Sequence, residues 1–186
     1  MKSSKGATFV ARTALGIALV VVAQLLGKMI PSIAVIFGPF SVSQLITGTL
    51  VNCVLIVFAV KAGPISAVLI GILSSILATL LGVGPIVPAV TPVIAVGNAL
   101  IAVIFWLCAE KLSVHKAVSV IAAAVVKCAF LWIFVPMVLA LLPEVPAKQA
   151  TMLGIMFSWP QGVTALCGGF LALAVLKPLN KAVRQK

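Results

Sequence analysis

Carboxylates are almost missing from this sequence: aspartate does not occur, and Glu110 and Glu144 are the only acids among 186 residues. His115 is the single histidine, and Cys53, Cys108, Cys128 and Cys167 fall one each in four separate apolar runs. These shortages exclude whole classes of chemistry. There is no carboxylate pair, no Ser/His/Asp set that can converge, no P-loop and no HExxH run, so the chain is read as no enzyme and cannot hydrolyse ATP by itself. Scattered cysteines without a CxxC pair or a Cys/His cluster make neither a zinc site nor a disulfide framework. They read as small hydrophobes, and no metal or cofactor is expected.

What is abundant is apolar. Hydrophobic residues make up 63% of the chain, charged residues 8%, and the mean hydropathy is +1.35. Soluble domains sit near 45–50% apolar and about 25% charged, so this composition calls for a lipid bilayer as solvent. The formal net charge of +11 does not point to nucleic acid. The basic residues sit near the termini and in short gaps between apolar runs, not in a stripe interleaved with aromatics.

Breakers and charges divide the chain into six apolar segments, at 7–26, 41–60, 63–82, 92–109, 116–142 and 151–176. A run of about 20 apolar residues makes roughly 30 Å of helix, enough to span. The first run has a basic start like a signal peptide but is long enough to be a retained helix. The expected fold is an all-α membrane protein, residues 1–186 forming one domain of six transmembrane helices. Gly63-Pro64 opens the third helix and Thr91-Pro92 the fourth, while Pro136 and Pro160 fall inside the last two, where kinks are expected.

Lys and Arg gather on the cytoplasmic side of membrane proteins. With a cytoplasmic N-terminus, that side receives Lys2, Lys5, Arg12, Lys61, Lys111, Lys116, Lys177, Lys181, Arg184 and Lys186. The outer side receives Lys28 and Lys148, and Lys127 stays within a helix. Both termini are therefore expected in the cytoplasm. Two outer connections, 27–40 and 82–92, are too broken to span yet too apolar for solvated loops, and read as re-entrant caps.

Polar residues concentrate in the outer halves of four helices. Gln44, Thr47 and Asn52 lie in the second, Ser75 in the third, Asn98 in the fourth and Gln161 in the sixth. Gln44, Gly48 and Asn52 recur at i, i+4, i+8 and share one face. Ser and Thr can bond their own backbone in a membrane, but amides are poorly satisfied by their own helix. The pattern therefore reads as an enclosed polar pocket opening outward.

Lys127 lies mid-helix with no intramembrane carboxylate to pair with. An ammonium at that depth costs on the order of 2.5–3.5 kcal/mol even on insertion scales. It reads either as a partner for an anionic group on a ligand or as a lysine facing a polar cavity or another subunit. Trp132 and Trp159 are added as candidates to stack on a ligand, against the commoner anchoring or packing role of tryptophan.

The runs TALGIAL (13–19), ITGTLVN (46–52), GPISAVLIGILSSILATLLGVGP (63–85) and VGNAL (96–100), set in a six-helix chain of this length, resemble the S components of energy-coupling factor transporters. These proteins capture vitamins and related micronutrients in prokaryotic membranes. The resemblance implies outer loops that lid a binding site. It also implies partners, a transmembrane coupling subunit and two cytoplasmic ATPases, and an AxxxA motif in helix 1 docking on the coupling subunit. Ala14 and Ala18 match that motif, and Ala7 and Ala11 form a second match. The pattern looks most like the pantothenate branch, and Lys127 suits an anionic ligand. Hydroxymethylpyrimidine, riboflavin, folate and queuosine precursors stay open, as do a stand-alone secondary permease and a membrane assembly protein without a ligand.

Overall fold

The computed structural model describes residues 2–30, 35–37 and 40–184. Seven α-helices are joined by short connections: α1 Lys2–Met29, α2 Val42–Lys61, α3 Pro64–Leu80, α4 Thr91–Trp106, α5 Lys116–Ala140, α6 Ala147–Met156 and α7 Trp159–Arg184. Five helical segments are long and apolar enough to cross a membrane: α1, α2, α4 with its flanking turns, α5, and α6 with α7. The sixth apolar helix, α3, has 17 residues, about 25 Å at 1.5 Å per residue. In hydrocarbon every backbone N–H and C=O needs an internal partner, so runs rich in Val and Ile, modest helix formers in water, are driven into helix.

Local chemistry sets the breaks. Ser41 caps α2, its hydroxyl accepting the Gln44 N–H at 3.2 Å, which satisfies one of the open donors of the first turn. Between α2 and α3 the chain reverses over two residues, with Gly63 at φ 91° and Pro64 starting the next helix. Positive φ is open to glycine without the Cβ penalty, and proline loses nothing in a first turn. The α4 helix is entered through a 3-10 turn, Pro88–Val90, and leaves through a π-helical turn, Leu107–Lys111.

Two expectations need correction. The helix expected over 151–176 is two helices, α6 and α7, broken at Phe157–Ser158. Pro160 falls in the first turn of α7, where its missing N–H needs no intrahelical acceptor, so the chain restarts a helix there instead of kinking one. The first helix runs back to Lys2, beyond the expected start at 7. In the stretch 27–40, α1 continues to Met29 and Val35–Phe37 pairs antiparallel with Phe40–Ser41, while 31–34 and 38–39 lie outside the described residues. The other stretch, 82–92, packs onto α5 and α6, with Val87 and Val90 buried against Leu131, Val135, Leu139 and Leu153.

Packing orders the helices so that α2 and α5 flank α7, α4 lies between α3 and α5, and α1 closes on α2 and α3. Arg12 donates to the Lys61 carbonyl at 3.2 Å, and Thr13 pairs with Ser66 at 2.8 Å. The start of α1 therefore sits with the α2–α3 turn. Lys28, at the other end of α1, donates to the Gly82 carbonyl at 3.1 Å. The core splits along this axis. One apolar cluster, including Leu55, Ile70, Ile101, Phe105 and Val120, fills the half toward the termini. A second, built on Val90, Leu131, Val135 and Leu153, fills the opposite half.

Candidate functional site

Between the two apolar clusters lies a polar layer contributed by four helices. Lys127 of α5 is buried at 3% exposure and donates from Nζ to Asn52 Oδ1 of α2 at 2.6 Å and to Asn98 Oδ1 of α4 at 2.8 Å. Asn98 in turn donates from Nδ2 to Ser75 Oγ of α3 at 3.1 Å, and Ser75 donates to the Gly71 carbonyl at 2.7 Å. Charge-assisted bonds of this kind are short and about twice as strong as neutral ones. The expectation for Lys127 concerned carboxylates alone; its partners here are the amide oxygens of Asn52 and Asn98. Neutral amide oxygens do what a carboxylate would do, because a carbonyl dipole accepts from an ammonium without adding a second buried charge.

Close helix contacts bring these groups together. A Cβ on Gly168 of α7 would run into the Thr49 carbonyl and the side chain of Asn52, and one on Gly71 of α3 would meet Asn98 Cβ at 3.1 Å. The two glycines thus let α2 lie on α7 and α3 on α4 at the height of the network, which fixes Asn52 and Asn98 laterally. Along α5, Lys127 lies between Ala124, at the edge of the first cluster, and Leu131, at the edge of the second.

The remaining predicted residues divide. Gln44 and Gln161 meet at the α6–α7 break, both donating to the Met156 carbonyl, at 3.0 and 3.2 Å. That carbonyl is open because the helix stops there. Gln44 Oε1 is buried with no hydrogen-bond partner among the described residues. The Gln44, Gly48, Asn52 face of α2 does point one way, toward α6 and α7, with Gly48 against Thr164. Thr47 looks elsewhere, its hydroxyl lying against Gly27 of α1. Trp132 is 58% exposed and stands away from the network, and Trp159 packs edge-to-face on Phe40. Ala14 and Ala18 are both exposed, opposite the Thr13, Gly16, Val20 stripe that α1 buries.

Asn52, Ser75, Asn98 and Lys127 are all buried, and the second apolar cluster packs beside them on the side away from the termini. Two cavities, of about 450 and 490 Å³, lie toward the terminus-bearing end, and none of the predicted site residues lines either. The sequence reading also missed the Met156 carbonyl as a polar group. The signal available for it was Ser158-Trp159-Pro160, a run that resets a helix. No group of three or more His, Cys, Asp or Glu able to hold a metal occurs among the described residues.

An ammonium carries three N–H donors, and two of those of Lys127 are placed on protein acceptors. Lys127 has no carboxylate near it: Glu110 lies beside Lys116 at 3.8 Å, and Glu144 is exposed in the α5–α6 connection. No protein-family model, curated protein or solved structure matches this chain.

Proposed function

We propose that this chain is the substrate-capturing membrane subunit of an uptake transporter of the energy-coupling factor type, with six spans and both termini cytoplasmic. Its ligand is a small anionic micronutrient, pantothenate foremost. One observation carries the reading: a buried ammonium, Lys127, held at mid-depth by two neutral amides and by no carboxylate. A ligand carboxylate would take the remaining N–H, and the Asn52, Asn98 and Ser75 groups would meet its hydroxyl and amide functions. Polar residues within a membrane span are costly and mark substrate paths by default.

The basic residues support the orientation. Arg12, Lys61, Lys116 and Lys177 line the two cavities at the end where α1 begins and α7 ends, the arrangement that faces the cytoplasm. Entry from the other side requires the second apolar cluster to part, with Val90 of the 82–92 connection and Leu153 of α6 moving off α5. Energy comes from other chains in this reading, a coupling subunit docked on the exposed Ala14–Ala18 face and two ATPases. Small residues there let a partner backbone approach closely.

A second reading draws on the same two bonds: Lys127 is a structural clamp satisfied by Asn52 and Asn98, and no ligand enters. Titration of the purified protein with pantothenate separates the two. Saturable binding that Lys127→Met weakens by at least about tenfold, roughly 1.4 kcal/mol, supports capture. Unchanged affinity in that variant removes Lys127 from the site. Absence of binding to pantothenate and to the other vitamins named above leaves the clamp.

A further inference from the structure

Beside α1, toward the terminus-bearing end, a cleft of about 490 Å³ opens between α1, α2 and α7. Leu15 and Leu19 of α1, Val57 and Phe58 of α2 and Leu179 of α7 form its walls, and Arg12 and Lys61 line it where the chain reaches that end. Neither glutamate belongs to it. Arg12 gives one N–H to the Lys61 carbonyl at 3.2 Å, which holds the guanidinium over the cleft and leaves the other donors of its fork available. Leu19 lies two turns beyond Arg12, so the apolar wall runs about 10 Å from the cations at 1.5 Å per residue. Leu15 and Leu19 stay exposed, 56% and 43%, so the cleft opens sideways, where the bilayer lies.

We propose that this cleft binds one anionic phospholipid of the adjoining leaflet, with an acyl chain along the apolar walls and the headgroup on the Arg12 guanidinium, Lys61 adding to the positive field at that end. A soluble anion would use the cations and leave the apolar walls unmatched, and a zwitterionic lipid would use the walls but bring a second, repelled cation to Arg12. An anionic phospholipid satisfies both ends. The guanidinium binds phosphate oxygens in a planar fork, and basic recesses between helices at the cytoplasmic end are suited to acidic headgroups. The volume falls within the roughly 300–1,000 Å³ usual for ligand pockets. The site requires only that the chain sits in a bilayer, so it stands or falls separately from the transporter reading.

The test is native mass spectrometry of the full purified chain titrated with dioleoylphosphatidylglycerol or dioleoylphosphatidylcholine. The wild type should hold one phosphatidylglycerol at least about fivefold more tightly than phosphatidylcholine. Arg12→Gln/Lys61→Gln should bring the two lipids to near equality. Lys111→Gln/Lys181→Gln, which removes the same charge outside the cleft, should leave the preference intact. Leu19→Trp, filling the apolar wall, should weaken both lipids. Equal loss in the Lys111/Lys181 variant would assign the preference to general surface charge and overturn the site, as would an unchanged preference in Arg12→Gln/Lys61→Gln. Displacement of the lipid by millimolar inorganic phosphate would show an anion site and overturn the lipid. Should the double variant not purify, Arg12→Gln alone carries the same comparison.

Discussion

Replacing Asn52, Asn98 and Lys127 singly and together tests whether the polar layer between the two apolar clusters is one interlocked unit. Asn52→Leu removes one charge-assisted bond, the 2.6 Å contact to Lys127, worth about 1.5–3 kcal/mol. Asn98→Leu removes the 2.8 Å contact to Lys127 and the 3.1 Å contact to Ser75, for about 2–4.5 kcal/mol when a neutral bond of about 0.5–1.5 is added. Lys127→Met acts with opposed signs. It orphans two buried amide oxygens, at about 1–3 kcal/mol each, and relieves the roughly 2.5–3.5 kcal/mol that an ammonium costs at this depth. Its net effect is therefore smaller than the lost bonds alone would make it. The triple variant leaves Ser75 bonded to Gly71 in its own helix, with no amide or ammonium of the three remaining. It should be more stable than Asn98→Leu. The measurement is detergent-induced unfolding of each purified variant, followed by tryptophan fluorescence. In the Asn52/Lys127 double-mutant cycle a coupling of about 1.5–3 kcal/mol is expected from the lost charge-assisted bond. Additivity within about 0.5 kcal/mol, the behaviour of independent sites, would refute the network.

Two further outcomes follow from packing. Gly168→Val places a branched side chain against the Thr49 carbonyl and Asn52. It should destabilise by about 1–3 kcal/mol or more, as overpacking does, whereas Gly6→Val, with open space around its Cβ, should leave the unfolding midpoint within error. Equal midpoints for the two variants would mean that α2 and α7 do not approach as described. Ala14→Leu/Ala18→Leu enlarges an exposed face of α1; under the proposed transporter function, folding and ligand binding should be unchanged while co-purification with a coupling subunit and uptake in cells are lost. Loss of ligand binding in that variant would place the face inside the protein.

Residue pattern alone carried the helical membrane character, because hydropathy and the missing acids reflect the solvent a chain needs and require no knowledge of neighbours. It also carried the shared face of Gln44, Gly48 and Asn52, since helical periodicity is a local property. The connections around Gly63-Pro64 and Thr91-Pro92 were legible for the same reason: φ limits and the missing proline N–H act within a few residues. Partner choice was not legible. That Lys127 meets Asn52 and Asn98, 75 and 29 positions away, depends on glycines in other helices allowing α2 onto α7 and α3 onto α4, and a sequence does not state which helices are neighbours. The break at Phe157–Ser158 was misread because Pro160 alone does not distinguish a kink from a restart. The tertiary setting decides, by giving the Met156 carbonyl two glutamine donors. Depth patterning set these polar residues at one level, but only the tertiary structure placed the cluster of Val90 and Leu153 on α5 beside them. A buried polar group is costly without a partner, so Asn52 and Asn98 accept from Lys127 across helices, and which helices supply those partners is decided by packing.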